Sequence, residues 1–151
     1  MWSADAPAKA ILFGEHAVLY GAPAIAIAID LRASVLLEKS EKWLLNGDAF
    51  DPLLNPHLGH LISEFGDLEN PLSISIDSTI PMAAGLGSSA ALSVASGMAL
   101  SASRGHNSVA SIESLARAAH RAEASAQGGR ASPTDTSVST LGGAVIVSSS
   151  R

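Results

Sequence analysis

The amino-acid sequence predicts an α+β domain, and two observations point there. Short apolar segments of strand length occupy the chain as far as Asp48, before any helical periodicity begins. The two longest helical runs then follow a Gly- and Ser-rich loop together, ahead of one closing strand, instead of alternating with strands as βαβ units do.

Residues 9–13 form a short apolar run ending at Gly14, and residues 24–29 form a second; both have strand length. Residues 33–37 are rich in β-formers and lead into a charged turn at 38–42, after which Trp43-Leu44-Leu45 meets Asn46-Gly47-Asp48, a signal for a tight hairpin. This first part of the chain therefore reads as a meander of short antiparallel strands. Between Pro52 and Gly66, the residues Leu54, Leu58, Leu61, Ile62 and Phe65 share one face at helical spacing, which places a first helix near 53–65. Leu72, Ile74 and Ile76 alternate with Ser73, Ser75 and Asp77, the pattern of a strand with one buried face. Residues 82–89 form a loop of small residues that opens a buried, Ala- and Leu-rich helix at 90–104. Residues 108–126 carry Ile112, Leu115, Ala119 and Ala122 at helical spacing, with Ser111 and Ser114 near the start and Gly128-Gly129 beyond the end. Residues 130–140 are polar, contain Pro133 and read as a loop leading through Gly142-Gly143 to a closing strand at 144–147.

The composition limits the function. With 151 residues, 47% apolar and 15% charged, the chain can bury one core of ordinary size, and no repeat or linker divides it. A net charge of -5 without a cluster of Lys and Arg argues against a nucleic-acid partner. The absence of cysteine excludes disulfides, thiolate metal sites and a cysteine nucleophile, so any metal must sit on oxygen or imidazole. The start Met1-Trp2-Ser3-Ala4-Asp5 has no basic segment, and the apolar stretches fall short of the ~20 residues of a membrane span. The expectation is a cytoplasmic protein with no membrane partner.

The loop before the 90–104 helix is the most specific feature. Gly85 and Gly87 let backbone N–H groups approach an anion, and the helix start adds unpaired donors and the positive end of its dipole. Ser88 and Ser89 add hydroxyls for a phosphate oxygen or a hard cation such as Mg²⁺. The spacing GxxxxGK[ST] is missing, which excludes a Walker A loop; the plain alternative is a strand-to-helix turn with Ser88 as N-cap. Asp135, in the polar segment before the last strand, could take the proton of an attacking hydroxyl or simply cap a short helix starting at Thr136. Lys9 could pair with such a carboxylate or with a phosphate, and Glu15 and His16 could bind a hydroxylated substrate. Glu123 could project towards the phosphate loop and hold Mg²⁺, or face solvent. His57 and His60 have metal-pair spacing but no local third ligand, and read as surface residues.

Taken together, these segments resemble one family. Ala6-Pro7-Ala8-Lys9-Ala10-Ile11-Leu12-Phe13-Gly14-Glu15-His16-Ala17-Val18-Leu19-Tyr20-Gly21 resembles the first motif of the mevalonate kinases. Ile80-Pro81-Met82-Ala83-Ala84-Gly85-Leu86-Gly87-Ser88-Ser89-Ala90-Ala91 is similar to the phosphate loop of the wider GHMP kinase superfamily. Ser132-Pro133-Thr134-Asp135-Thr136-Ser137-Val138-Ser139-Thr140, followed by Gly142-Gly143, is similar to the segment bearing that superfamily's catalytic aspartate, in an archaeal-type form. The resemblance covers nearly all of the chain.

It implies a fold like the second domain of ribosomal protein S5, a mostly antiparallel sheet with helices mainly on one face. It implies ATP and Mg²⁺ as cofactors, mevalonate as substrate, and 5-phosphomevalonate as product. Asp135 would be the catalytic base with Lys9 beside it. Pro81, Gly85, Leu86, Gly87, Ser88, Ser89 and Ala90 would cradle the ATP phosphates, while Glu123 with Ser88 or Ser89 would hold the metal. Glu15, His16, Tyr20 and Thr134 would line the substrate side. Residues 1–151 would be the N-terminal, ATP-binding domain, with the family's C-terminal domain outside this chain and a homodimer left open. Another small-molecule GHMP kinase, or a non-catalytic nucleotide-binding fragment, are the alternatives.

Overall fold

The computed structural model describes residues 1–16, 20–105, 111–129 and 131–148. Residues 17–19 of the first motif, the expected helix start at 108–110 and Arg130 lie outside the described residues.

The sheet is built on one long strand. β1 (Trp2–Phe13) and β2 (Ala24–Lys39) pair antiparallel along most of their length. The two strands expected at 24–29 and 33–37 are thus one. The break suggested by polar Asp30 and Arg32 is absorbed by a bulge: Pro7 faces Arg32 while Ala8 faces Ile29, so Asp30 and Leu31 have no partner on β1. On its other edge β2 pairs antiparallel with two strands. β3 (Leu44–Leu45) and β4 (Asp48–Ala49) form the expected hairpin. β5 (Leu72–Ser78) lies along the second half of β2, and β6 (Ala144–Val147) along the first. Asn46 and Gly47 take φ values of 51° and 90°, the left-handed pair that a two-residue turn of this twist requires. The hairpin is fastened to β5, because Asn46 Oδ1 accepts the Ile76 N–H at 2.9 Å. β3 runs parallel to β5, and the remaining pairings among the described residues are antiparallel.

Alternation along β2 points Ala33, Val35 and Leu37 into the core beside Leu72 and Ile74 of β5. Four helices complete the domain: α1 (Pro56–Phe65), α2 (Ser88–Ser103), α3 (Ile112–Ala126) and α4 (Pro133–Leu141). α2 and α4 pack on β1 and β2, and α1 and α3 cover α2. With neighbours on nearly every side, α2 is made of small residues, and Ala91, Val94, Ala95, Ala99 and Leu100 form the centre of the core. A Cβ on Gly97 would stand 2.8 Å from Leu115 Cδ1, so glycine there sets how closely α3 approaches. Ser111 caps α3: its side chain accepts the Ser114 N–H at 3.1 Å, and the Ser114 hydroxyl accepts the Ser111 N–H at 3.2 Å.

Two expectations are corrected. α1 begins at Pro56 rather than near 53, because Asp51 turns the chain by accepting the Leu53 N–H at 2.8 Å, leaving Leu53 and Leu54 in solvent. The polar segment before the last strand is a helix, α4, not a loop. Pro133 is compatible with a first turn, and Thr134, Thr136, Val138 and Ser139 supply a buried face that is mostly hydroxyl-bearing.

Candidate active site

The site forms where β1, the N-terminus of α2, α3 and the first turn of α4 converge. Residues 81–87 arrive from β5 anchored by buried Ile80, and the Lys9 N–H donates to Leu86 O at 2.9 Å, tying the loop to β1. Ala83, Gly85 and Gly87 take positive φ values of 57°, 72° and 72°. Left-handed residues repeated in this way are the backbone geometry from which anion-binding loops are built. Gly87, not Ser88, is the N-cap of α2, and no side chain caps it. The reading of Ser88 as N-cap is therefore corrected, and the first donors of a 16-residue helix stay open at the loop.

Lys9 and Asp135 meet beneath Gly87. Lys9 Nζ lies 3.2 Å from Asp135 Oδ1, with the lysine side chain 7% and the aspartate side chain 26% exposed. Asp135 belongs to the first turn of α4, where the helix dipole favours a carboxylate. Its Oδ1 is buried and faces the Lys9 ammonium, so the exposed part of the side chain belongs to its other atoms. Glu123 sits across the loop on α3, buried at 4% exposure. Its Oε1 accepts from Ser89 and Ser93 hydroxyls, each at 2.7 Å, and its Oε2 accepts from the Gln127 amide at 3.0 Å. Of the two serines nominated from sequence, Ser89 reaches Glu123.

Glu123, Gln127 and Asp135 line a cleft of about 440 Å³ together with Pro81, Gly85, Leu86, Gly87, Ser88, Ser89 and Ala90. Among the described residues no three His, Asp or Glu side chains converge as a metal cage. The single buried carboxylate beside a hydroxyl instead fits a hard cation that takes its other ligands from phosphate and water. A larger groove of about 770 Å³ between Trp2, Lys39, Asp67 and Arg104 lies at the opposite end of the sheet, away from the loop donors.

The remaining candidates fall outside this cleft. Glu15, His16 and Tyr20 are solvent-exposed after the end of β1, Tyr20 at 86%, and Thr134 is buried in the first turn of α4. Three residues at or beside the site are missed from sequence. His57 was expected on the surface, but it is half-buried, lines the cleft, and has its Nε2 buried without a partner. Burial holds its imidazole below the ordinary value of 6.5, against a smaller upward pull from the Glu123 carboxylate. His60 is also half-buried and lies 3.3 Å from Glu64, one turn along α1. Ser93 and Gln127 escaped notice too; their spacing, one helical turn after Ser89 and Glu123, is the signal that could have found them.

A left-handed, Gly-rich loop at an uncapped helix start, with the Lys9–Asp135 pair beneath it, has the chemistry to receive an anion beside a carboxylate. Residues 53–143 match the GHMP kinases N terminal domain, and the chain belongs to this family. It is 42% identical over 163 residues to the mevalonate kinase of Methanothermobacter thermautotrophicus, covering 99% of this chain and 51% of the relative. It is 40% identical over 146 residues to that of Archaeoglobus fulgidus, covering 93% of this chain and 50% of the relative. The solved structure of the Methanococcus jannaschii mevalonate kinase superposes with a TM-score of 0.82 at 28% identity, over 97% of this chain and 53% of that one. The chain spans about half the length of the curated relatives it matches. No helix among the described residues is long and apolar enough to cross a membrane.

Proposed function

We propose that residues 1–151 are the N-terminal, nucleotide-binding half of a cytoplasmic mevalonate kinase, which transfers the γ-phosphoryl group of ATP to the 5-hydroxyl of mevalonate. The observation that carries the reading is the Lys9–Asp135 pair placed directly beneath the Gly87 end of the phosphate loop. Two relatives at about 40% identity carry the mevalonate kinase name, and they guide the choice of substrate.

The chemistry follows from the geometry. The N–H groups of residues 85–90 and the open end of α2 receive the phosphates. Asp135 accepts the proton of the substrate hydroxyl on its Oδ2, the oxygen not paired with Lys9, as the hydroxyl oxygen bonds to the γ-phosphorus. The bond from phosphorus to the bridging oxygen breaks, and ADP leaves with the electron pair. Lys9 holds Asp135 in place and offsets negative charge that builds on the transferring group. Glu123 and Ser89 would hold Mg²⁺, with Ser88 on the phosphate side, and the metal would supply positive charge to the phosphates. Glu15, His16 and Tyr20 take the far end of the substrate, on the exposed side reached from β1, and Thr134 lies buried next to Asp135 in the first turn of α4.

The test uses the full-length protein with Mg-ATP and mevalonate, following ADP release. Mevalonate-dependent release that falls by about 10²–10⁴ in Asp135→Asn is expected for loss of a general base. Turnover of phosphomevalonate or another hydroxy acid in place of mevalonate overturns the substrate. Nucleotide binding with no turnover of any acid overturns the kinase reading.

A further inference from the structure

Helix serines usually satisfy their hydroxyls on their own backbone, as Ser103 does on Leu100 O and Ser125 on Ala122 O, at 2.7 and 2.6 Å. Ser93 does otherwise. It is fully buried, sits one turn after Ser89 on the same face of α2, and directs its hydroxyl across to Glu123 Oε1 on α3. It does not line the cleft, so it cannot touch a ligand there. Gln127, one turn after Glu123, holds the other oxygen.

We propose that Ser93 and Gln127 are positioning residues that hold the Glu123 carboxylate facing a divalent cation at the phosphate loop. The inference rests on reading Glu123 as a metal ligand. Each carboxylate oxygen offers two acceptor positions. Ser89 and Ser93 occupy both on Oε1, while Gln127 occupies one on Oε2, so the open position of the group is on Oε2. The Ser89 hydroxyl can keep donating to Oε1 while its oxygen lone pairs face the cation. The carboxylate is therefore fixed at both ends before the cation arrives, and the cation need not order it. Losing either donor frees one end to rotate, an effect felt by the cation and not by the phosphate cradle.

The experiment titrates Mn²⁺ into the full-length protein with a non-hydrolysable ATP analogue, reading free Mn²⁺ by electron paramagnetic resonance. Metal-free binding of the analogue and the melting temperature are measured alongside. Ser93→Ala is expected to weaken Mn²⁺ binding by about 10- to 100-fold, the range found when a partner that orients a metal ligand is removed. Metal-free analogue binding stays within twofold. Gln127→Leu, at a solvent-exposed position where folding is not at stake, shifts Mn²⁺ binding in the same direction and decides the matter if Ser93→Ala fails to fold. Mn²⁺ binding that requires Glu123, lost in Glu123→Gln, but is unchanged in Ser93→Ala and Gln127→Leu overturns this inference alone. Mn²⁺ binding that survives Glu123→Gln overturns the metal reading of Glu123 and this inference with it.

Discussion

Two glycines in the phosphate loop share a backbone conformation but differ in what surrounds them, and substituting each with alanine separates conformational cost from collision. Gly85 and Gly87 both have φ of +72°, where alanine costs about 1–2 kcal/mol. A Cβ on Gly85 meets nothing within 4 Å, whereas one on Gly87 stands 3.0 Å from Lys9 Cγ, 3.3 Å from Lys9 Cε and 3.8 Å from Asp135 Cβ. Lys9 has little room to yield, since it is buried at 6% and its N–H is held by Leu86 O. Moving its side chain off a staggered rotamer adds about 0.5–1.5 kcal/mol. Gly87→Ala should therefore lose about 1.5–3.5 kcal/mol and Gly85→Ala about 1–2 kcal/mol, and Gly87→Ala alone should lengthen the Lys9–Asp135 pair. Urea unfolding of the ligand-free full-length proteins, compared at equal slope, measures the difference. In a Lys9→Ala background the collision partner is gone, and the two glycine substitutions should then cost the same. Equal losses in the wild-type background, or a difference that persists without the Lys9 side chain, would refute the argument.

Two further outcomes are expected. Ser111→Ala removes the capping box of α3 and should cost about 1 kcal/mol in denaturant unfolding, with Ser111→Asp recovering most of it; no loss would show that α3 is held by packing alone. His57 titrates below 6.5 in the folded protein because it is buried, so the unfolded chain binds more protons as the pH falls through 6.5. Its contribution to stability is complete above that pH and declines on the acid side, so His57→Gln should flatten the stability profile below pH 6.5; an unchanged profile counts against a buried neutral imidazole.

Much of the domain was open to local reading. The Asn46-Gly47 turn, the α3 cap at Ser111 and the buried character of α2 each depend on a few neighbouring residues, through dihedral preference, side chain to backbone hydrogen bonding or composition. The candidates Lys9, Asp135, Glu123 and the Gly85 to Ser89 loop were nominated for the same reason, by residue type and spacing and by their resemblance to one family. Where tertiary context overrules local preference, reading from sequence failed. The polar 133–141 segment is helical because α4 buries Thr136 and Val138 as it packs on α2, α3 and β1, and β2 is continuous because the irregularity lies in its pairing with β1. His57 looked like a surface residue because its burial comes from elements far along the chain.

What sequence alone determined was the kind of fold and the list of groups able to do chemistry, since periodicity, turn chemistry and residue type act over a few positions. What tertiary structure decided was which of those groups meet. Ser93 and Glu123 are 30 residues apart, and Ser89 and Glu123 are 34 apart. Lys9 reaches Asp135 from the other end of the chain. Such meetings depend on how α2, α3 and α4 pack on the sheet, and that packing is a property of the whole core.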